Sequence, residues 1–171
     1  MKCPHCATDN FPGEDYCANC GIDLRDAGMI TPDKGLGAKV LTDTIMALDP
    51  PEPLTVSPDS TVREAVDLMR RKRHGSVLIV DDGKLKGIFT ERDLLKRVVV
   101  KKLKLDSVKI SAVMTKDPQS LGESDSIAFA LNRMSVNSIR HVPVIKDDEP
   151  IGFISVRGML KYLAMHTLER V

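Results

Sequence analysis

One stretch of this chain recurs after an offset of 65 residues, without a gap. RHGSVLIVDDGKLKGIFTERD, residues 73–93, returns as SIRHVPVIKDDEPIGFISVRG, residues 138–158. The copies agree at positions spread along the stretch, namely Val77 with Val142, Asp82 with Asp147, Gly87 with Gly152 and Arg92 with Arg157. A unit that is repeated only twice, and is apolar on one face, predicts two half-domains that bury those faces against each other.

Each copy predicts the order strand–helix–strand–strand–helix, and therefore a mixed α+β fold. In the first copy, Thr61 and Glu64 form a capping-box pattern for the first helix, and Gly75 is the predicted helix stop. Asp81-Asp82-Gly83 is typical of a hairpin turn. The predicted strands are 54–56, 76–80, 85–90, 119–121, 141–145 and 151–155. Further helices are predicted at 91–100, 126–136 and 156–168.

The composition is that of an ordinary globular protein without a strong overall charge. With 25 Lys and Arg against 24 Asp and Glu, the net charge of +1 attracts the chain neither to nucleic acid nor to a membrane surface. No apolar run approaches the roughly 20 residues that span a bilayer, and the first residues lack the apolar region of a signal peptide. We therefore expect a cytoplasmic protein.

The cysteines all lie near the amino terminus, as Cys3, Cys6, Cys17 and Cys20. In the spacing C-x2-C-x10-C-x2-C, each close pair can present both sulfurs to one ion from a single tight turn. Gly21, directly after the second pair, suits such a turn. Four thiolates complete a tetrahedral shell without an open position, which predicts a structural zinc site rather than a catalytic one.

Residues 1–25 resemble the short zinc ribbons found at the ends of many prokaryotic proteins. The alternatives are a redox-active dithiol and a rubredoxin-like iron site, both of which would require a larger surrounding fold. So small a segment has almost no core, and zinc binding of about 10 kcal/mol or more would supply its folding energy. His5, between the first two cysteines, is interpreted as a solvated side chain and not as a further ligand.

The ribbon segment is acidic. From Met1 to Asp26, Lys2 and Arg25 are outnumbered by Asp9, Glu14, Asp15, Asp23 and Asp26. Zinc with four thiolates adds a charge of about −2. Because so negative a segment is a poor partner for phosphates, we expect it to contact a protein or to self-associate.

Residues 26–41 are interpreted as a linker. They contain Gly28, Pro32, Gly35 and Gly37 and show no sustained apolar period. The part from Asp26 to Lys39, as a flexible coil of about 14 residues, would span on the order of 20 Å. The predicted organisation is a zinc ribbon at 1–25, this linker, and half-domains at 42–104 and 108–170.

The half-domains resemble a tandem pair of cystathionine-β-synthase-type (CBS) domains over residues 42–168. The resemblance rests on GIFTERD at 87–93, GFISVRG at 152–158 and RHVPVI at 140–145, with Ile45-Met46 and Val113-Met114 ahead of the copies. It implies two β-α-β-β-α repeats packed as a pseudo-twofold pair, with clefts that bind adenosine nucleotides. AMP, ADP and ATP are the expected ligands, and a dinucleotide or S-adenosylmethionine carries the same adenosine group.

The resemblance also implies the ligand residues of one cleft. Asp93 would accept the ribose hydroxyls, and Thr90 would cap the following helix while facing a phosphate or the ribose. The alternative role of Asp93 is that of a first-turn carboxylate that complements the helix dipole. Arginine and histidine can donate hydrogen bonds to phosphate oxygens. Adenine can be bound by hydrogen bonds to its edge together with apolar contacts. The residues implied for these two parts are Arg140, His141 and Arg157 for the phosphates, and Thr55, Val56, Ser76 and Val77 for adenine.

The mirror-related cleft is predicted to be the poorer one. Gly158 stands in the position of Asp93, so the ribose carboxylate is missing. Gly75 and Ser76 stand in the positions of Arg140 and His141, which leaves only Ser155 and Arg92. Since both losses fall on the same cleft, we expect one competent site and one degenerate site.

The function predicted from these features is that of a nucleotide-sensing regulatory module and not of an enzyme, because no Ser-His-Asp set, Cys-His set or open metal site is present in the sequence. The alternative is a nucleic-acid-associated regulator that uses the ribbon, with the CBS pair as its effector domain. A homodimer is expected through the helices that begin at Glu91 and Val156. The apolar candidates for that contact are Leu94, Leu95, Val98, Met159, Leu160 and Leu163.

Overall fold

The computed structural model describes residues 2–3, 5–6, 8–11, 14–24 and 36–168. The helices in this part of the chain are α1 (Leu36–Thr42), α2 (Val62–Lys72), α3 (Glu91–Asp93), α4 (Ile127–Val136) and α5 (Val156–Leu168). The strands are β1 (Thr55–Val56), β2 (Ser76–Asp81), β3 (Lys84–Thr90), β4 (Thr115–Lys116), β5 (Leu121–Gly122), β6 (His141–Lys146) and β7 (Glu149–Ser155). Short 3₁₀ turns lie at Ile45–Leu48 and Ile110–Ala112.

The strands form two sheets, with the orders β1-β2-β3-β4 and β5-β6-β7. β1 pairs in parallel with β2, and β2 and β3 form an antiparallel hairpin. Asp82 and Gly83 turn that hairpin with φ of 48° and 76°, the left-handed conformation that the predicted turn requires. The predicted mixed α+β fold is confirmed. Strand β4, which pairs antiparallel with β3, was not predicted from the sequence.

Helix α2 begins with the predicted capping box. The Thr61 hydroxyl accepts from the Glu64 amide at 3.2 Å, and the Glu64 carboxylate accepts from the Thr61 amide at 2.7 Å. The helix ends before the predicted stop at Gly75. Arg73 adopts φ of 55°, and its amide donates to carbonyls of the last turn, so the free carbonyls are already satisfied there.

The helix predicted at 91–100 is present but changes its winding. It begins as α3 and continues with the wider turns of a π-helix over Leu94–Val99. The amide of Val100 donates to the carbonyl of Leu95 at 3.1 Å, five residues back. The wide turns include Arg97, whose side chain is part of the site described below.

The predicted linker is only partly a linker. Residues 26–35 lie outside the described residues, but Leu36–Thr42 is helical, so the expectation of a flexible coil is corrected for residues 36–41. Helix α1 packs against α4 and α5. A helix this short is marginal in water, so tertiary packing outweighs the poor helix propensity of Gly37.

The chain divides into two compact units that do not follow the sequence repeats. Unit A consists of Met1–Pro50, Leu121–His141 and Ile154–Val171, and unit B of Pro51–Ser120 and Val142–Phe153. Unit B has a core of buried apolar side chains from α2, β2, β3, the π-helical segment and the 3₁₀ turn that precedes β4. Its members are Val62, Ala65, Met69, Val77, Ile79, Phe89, Val98, Ile110 and Val113.

In unit A, the start of α4 lies against the segment that precedes the first repeat. The Ile45 amide donates to the Asp125 carbonyl at 2.8 Å, and the Ile127 amide donates to the Asp43 carbonyl at 3.0 Å. These bonds attach the beginning of the second repeat's first helix to the segment that precedes the first repeat.

In unit B, the start of α2 is held in the same way by the segment that precedes the second repeat. The Ile110 amide donates to the Ser60 carbonyl at 2.8 Å, and the Val62 amide donates to the Val108 carbonyl at 2.9 Å. Each of these four residues is 65 positions from the residue that makes the equivalent bond in unit A. The repeats therefore exchange their leading segments, which explains why the compact units cross the repeats.

Of the helices that the structure describes, none combines the length and the apolar character that crossing a bilayer would require.

Candidate functional site

The cysteine sulfurs lie together in the ribbon segment. The Sγ atoms of Cys3, Cys6, Cys17 and Cys20 all lie within 4.8 Å of one another. The Cys3–Cys20 separation is 3.6 Å and the Cys6–Cys17 separation is 3.5 Å. A tetrahedral site with Zn–S bonds of about 2.3 Å has S–S edges of about 3.8 Å, so this set of sulfurs fits a metal ion of that size.

Each cysteine pair lies at a short antiparallel turn, closed by single β-bridges between Lys2 and Asp9 and between Tyr16 and Asp23. Gly21 follows the second pair with φ of 70°, as its position predicts. A Cβ added there would meet nothing within 4 Å, so the backbone conformation and not crowding favours glycine.

The thiols differ in acidity. Burial raises the pKa of Cys3 and of Cys20. Burial acts in the same direction on Cys17, but hydrogen bonds from the amides of Cys20 and Asn19 and from neighbouring thiols lower its pKa to about 6. The lowered pKa favours the thiolate form of Cys17, which is the form in which a cysteine can ligate a metal ion.

His5 is not the solvated side chain that was expected. It is half-buried, and its Nδ1 atom is buried without a hydrogen-bond partner within the described part of the chain. Burial lowers the pKa of the imidazole. The main chain of His5 contributes to the site instead, because its amide donates to the Cys3 sulfur at 3.4 Å.

In the first repeat, Thr90 and Asp93 form a second capping box at the start of α3. The Thr90 hydroxyl accepts from the Asp93 amide at 3.3 Å, and the Asp93 Oδ2 atom accepts from the Thr90 amide at 3.0 Å and hydroxyl at 2.7 Å. The predicted cap at Thr90 is confirmed. Asp93 is only 8% exposed, and its carboxylate complements the helix dipole, the alternative role that the sequence left open.

The other carboxylate oxygen of Asp93 faces Arg97 and Thr115. The Thr115 hydroxyl donates to Oδ1 at 3.3 Å, and Arg97 Nε lies 3.3 Å from the same atom. Arg97 also donates to the main-chain carbonyls of Val113 and Met114. Sequence reasoning missed both partners. The four-residue spacing of Asp93 and Arg97 was a local signal for an ion pair, whereas Thr115 arrives through β4 and had none.

Strand β4 approaches β3 closely at Gly87. A Cβ at this position would lie 2.5 Å from the Met114 sulfur and 2.9 Å from the Thr115 carbonyl oxygen. The glycine of GIFTERD is therefore required by close packing, and that packing brings Thr115 to the Asp93 carboxylate.

The predicted adenine-binding residues lie on β1 and β2 of unit B. Thr55 is exposed and Val56 half-buried, while Ser76 pairs with Thr90 across the β2–β3 ladder and so lies beside the cap. Val77 is 1% exposed and belongs to the core. The buried side chain of Val77 leaves its main chain as the part that we expect to contact adenine, which stays a prediction.

The predicted phosphate-binding residues belong to unit A. The Arg140 carbonyl accepts from the Val156 amide at 3.1 Å, so the main chain before β6 lies against the start of α5, where Arg157 follows. The Arg140 and Arg157 side chains are exposed, and His141 is half-buried. The structure thus groups the three basic residues at the start of α5, and the other six predicted residues in unit B.

The equivalent of the Thr90 cap in the second repeat lacks a carboxylate. The Ser155 hydroxyl accepts from the Gly158 amide at 3.2 Å and caps α5 as Thr90 caps α3. Gly158 has no side chain to accept a hydrogen bond in return, so this cap lacks the carboxylate that Asp93 provides in the first repeat.

Two copies of one α+β repeat, each with a capped helix directly after a hairpin, define a tandem-domain protein. The family profile described as "CBS domain" matches residues 45–100 and again residues 110–165. The chain therefore belongs to the CBS-domain family and carries two of these domains in tandem.

Curated relatives are mostly longer than this chain. The CBS domain-containing protein CBSCBSPB1 of Arabidopsis thaliana is 29% identical over 154 residues, which cover 90% of this chain and 28% of that protein. The arabinose 5-phosphate isomerase KdsD of Yersinia pestis is 33% identical over 144 residues, covering 82% of this chain and 43% of the isomerase. The chain thus spans less than half the length of these two relatives.

Among solved structures, the CBS domain protein PAE2072 of Pyrobaculum aerophilum, complexed with AMP, is 25% identical with a TM-score of 0.63. The match covers 71% of this chain and 98% of that one. An uncharacterized conserved protein of Pyrococcus horikoshii is also 25% identical, with a TM-score of 0.66, covering 71% of this chain and 92% of that one. The neighbours are similar to the repeat region and share its fold.

Proposed function

We propose that this protein is a regulatory module that binds an adenosine nucleotide through its CBS domains, with no catalytic activity of its own. The observation that carries the proposal is the buried Asp93 carboxylate at the start of α3, beside Ser76 and Thr90. The AMP complex of PAE2072 supports adenosine as the recognised group. The isomerase activity named for KdsD is not proposed here, since this chain spans only 43% of that protein.

The hydrogen bonds of Asp93 indicate how a ribose would bind. The two bonds from Thr90, at 2.7 and 3.0 Å, hold the carboxylate in place. The contacts of Oδ1 with Thr115 and Arg97, both at 3.3 Å, are longer and weaker. A ribose hydroxyl would therefore displace these two contacts and leave the cap intact.

The proposed phosphate ligands are Arg140, His141 and Arg157. Their chemistry supports the assignment, because a guanidinium presents a planar pair of donors to phosphate oxygens and an imidazole adds another donor. Adenine would be held by the exposed edge of β1 at Thr55 and Val56 and by the main chain at Ser76 and Val77. AMP, ADP and ATP are the proposed ligands, since all share the adenosine group.

One competent site per chain is proposed. In the mirror-related cleft, Gly158 stands in the position of Asp93, and Gly75 and Ser76 stand in the positions of Arg140 and His141. The mirror-related cleft retains only Ser155 and Arg92. We do not expect these two residues to hold both a ribose and a phosphate.

Isothermal titration calorimetry with AMP, ADP and ATP tests the proposal. We expect one nucleotide per chain, and Asp93→Asn should weaken binding about ten- to hundredfold, since it removes a charged hydrogen-bond acceptor. Glu91→Gln is the matched control, because Glu91 is an exposed acid in the same helical turn and should change affinity less than about twofold. Unchanged binding by Asp93→Asn would show that this carboxylate serves only as a cap, and two equal sites would contradict the asymmetry.

We further propose that the four cysteines hold a structural zinc ion. The support is the sulfur geometry, with separations of 3.5 and 3.6 Å, and the all-cysteine ligand set, which leaves no coordination position for a substrate. The proposal includes a cytoplasmic location, where a reducing environment keeps such thiols available for metal. Native mass spectrometry should find one zinc per chain, and Cys17→Ser should lose it.

A homodimer through the CBS helices is also proposed, with a corrected contact surface. Val98 and Met159 were candidates from the sequence, but each is 1% exposed and packed inside its own chain. Among the described side chains, the large apolar ones that are exposed on these helices are Leu95, Val99, Val100, Val156, Leu160 and Met165. Light scattering at micromolar concentration should give the dimer mass, and Leu95→Glu combined with Leu160→Glu should give the monomer mass.

A further inference from the structure

The first helices of the two repeats differ in how many sides they bury. In α2, Arg63 and Glu64 are exposed, as expected of a helix with one apolar face. The equivalent residues of α4, Ala128 and Phe129, are 3% and 6% exposed. Helix α4 therefore has a second covered side that α2 lacks.

The ribbon contacts this helix through both of its cysteine turns. The Ser126 hydroxyl donates to the His5 carbonyl at 2.7 Å, and the Asn132 side-chain amide donates to the Cys20 carbonyl at 2.9 Å. Ser126 caps α4 at the same time, since it accepts from the Phe129 amide at 3.1 Å. Along the helix axis the two contacts are about 9 Å apart, so the ribbon is held at two separate points.

Asn132 differs from its counterpart in the first repeat by having a hydrogen-bond donor and no charge. Asn132 stands where the first repeat has Asp67, which forms an ion pair with Arg70 at 3.6 Å. A carboxylate has no proton to donate to a carbonyl, whereas the amide of Asn132 does. A carboxylate would also be repelled by a metal–thiolate cluster with a charge of about −2.

We propose that the metal-loaded ribbon is a built-in clamp on α4, so that metal binding and the order of the second CBS domain are thermodynamically coupled. The inference rests on the proposed metal site. His5 lies between the first two cysteines, and Cys20 is itself one of the four, so both accepting carbonyls are positioned by the ligand turns. Loss of the metal releases those turns and with them the two hydrogen bonds that hold the ribbon on α4.

The coupling is reciprocal. If metal binding stabilises the docked ribbon on α4, then weakening the contact to α4 lowers metal affinity by the same factor. The clamp also gives the ribbon a role within its own chain, in addition to any partner that it contacts. Oxidation of the cysteines, or metal removal by a competing chelator, would change the second CBS domain without altering the first.

Hydrogen–deuterium exchange of the full chain, without nucleotide, tests this proposal. Removing the metal with a chelator should speed amide exchange several-fold in α4, residues 127–136, and leave α2, residues 62–72, unchanged. Asn132→Asp should produce the same change in α4 with the metal still bound, and should weaken zinc binding several-fold in competition with a chromogenic chelator. Asp67→Asn is the matched control at the equivalent position of α2, and neither readout should change.

The outcomes separate this inference from the proposed function. Equal exchange of α4 with and without bound metal would overturn the clamp even if one zinc per chain is found. An absence of zinc would overturn the metal site and the clamp together, whereas nucleotide binding is not involved in either readout. Should Asn132→Asp fail to fold, Asn132→Ala removes the donor without adding charge, and α4 exchange identical to that of the unmodified chain would contradict the proposal.

Discussion

The two CBS repeats share a backbone plan but hold their helices with different chemistry. Helix α2 is capped by a box of its own residues, Thr61 and Glu64, and exposes its charged side. Helix α4 has Phe129 in place of the glutamate and shares its capping Ser126 with the ribbon. The cap of α2 is therefore formed within the first repeat, whereas the capping residue of α4 also bonds to the ribbon.

The second helices of the two repeats also differ in the residues that hold them. Arg97 and Tyr162 occupy equivalent positions, 65 residues apart. Arg97 donates to the carbonyls of Val113 and Met114, and the Tyr162 hydroxyl donates to the Asp43 carboxylate at 2.6 Å. Both side chains reach a segment that leads into a repeat. The two copies therefore retain the tie between helix and leading segment while changing the residues that make it.

The largest effect is expected where the first repeat packs most closely. Gly87→Ala should destabilise the protein by about 2–3 kcal/mol, because the new methyl group would overlap the Met114 sulfur and the Thr115 carbonyl. Gly158→Ala is the comparison in the second repeat, where an added Cβ would meet only the Ser155 hydroxyl oxygen, at 3.7 Å. That change should stabilise by about 0.5–1 kcal/mol, as expected for alanine replacing glycine inside a helix.

Urea denaturation of the two variants beside the unmodified chain measures both effects. Similar stability of Gly87→Ala and the unmodified chain would mean that β4 is not tightly packed on β3, and the link from β4 to Asp93 would lose its support.

Much of the fold was predictable because its signals are local. Strands β2, β3, β6 and β7 and helix α5 were predicted within two residues of their observed ends, from apolar runs, turn residues and the repeat itself. Helix α1 and strand β4 were missed because neither is stable without distant partners. Both are short, and α1 forms only where it packs against α4 and α5.

The candidate sites divide in the same way. The cysteine cluster followed from spacing, and the Thr90 cap from its position between strand and helix. Docking of the ribbon joins residues more than 100 positions apart, such as Asn132 and Cys20, and no local pattern encodes it. The repeat nevertheless contains one signal that α4 is covered on a second side, since Ala128 and Phe129 replace the charged residues Arg63 and Glu64.

The hydrogen bond between Tyr162 and Asp43 should make the stability of the protein depend on pH in the alkaline range. Burial and the hydrogen bond to Asp43 raise the pKa of Tyr162 to about 12, above the value of about 10 for an unfolded chain. The folded state thus favours the neutral phenol. Its contribution to stability, on the order of 2 kcal/mol, is present below about pH 10 and is lost as the pH rises towards 12.

Absorbance of tyrosinate measures this directly, since the chain has only two tyrosines and no tryptophan. In a Tyr16→Phe background the signal belongs to Tyr162, and its midpoint should lie near pH 12. Asp43→Asn should move the midpoint part of the way towards 10, because burial remains. A midpoint near 10 in the Tyr16→Phe protein itself would show that the Tyr162–Asp43 contact is not stably formed.

The smallest of the three main effects tests whether one missing carboxylate accounts for the difference between the two caps. Gly158→Asp gives the second repeat the acid that Asp93 provides in the first, opposite the capping Ser155. It should stabilise the protein by about 1 kcal/mol, because it replaces a helical glycine and completes a capping box. It should not create a second nucleotide site, since Gly75 and Ser76 still occupy the positions that Arg140 and His141, the proposed phosphate ligands, have in the other copy. A second bound nucleotide in calorimetry would mean that the ribose carboxylate alone decides whether a copy binds, and that the basic residues are secondary.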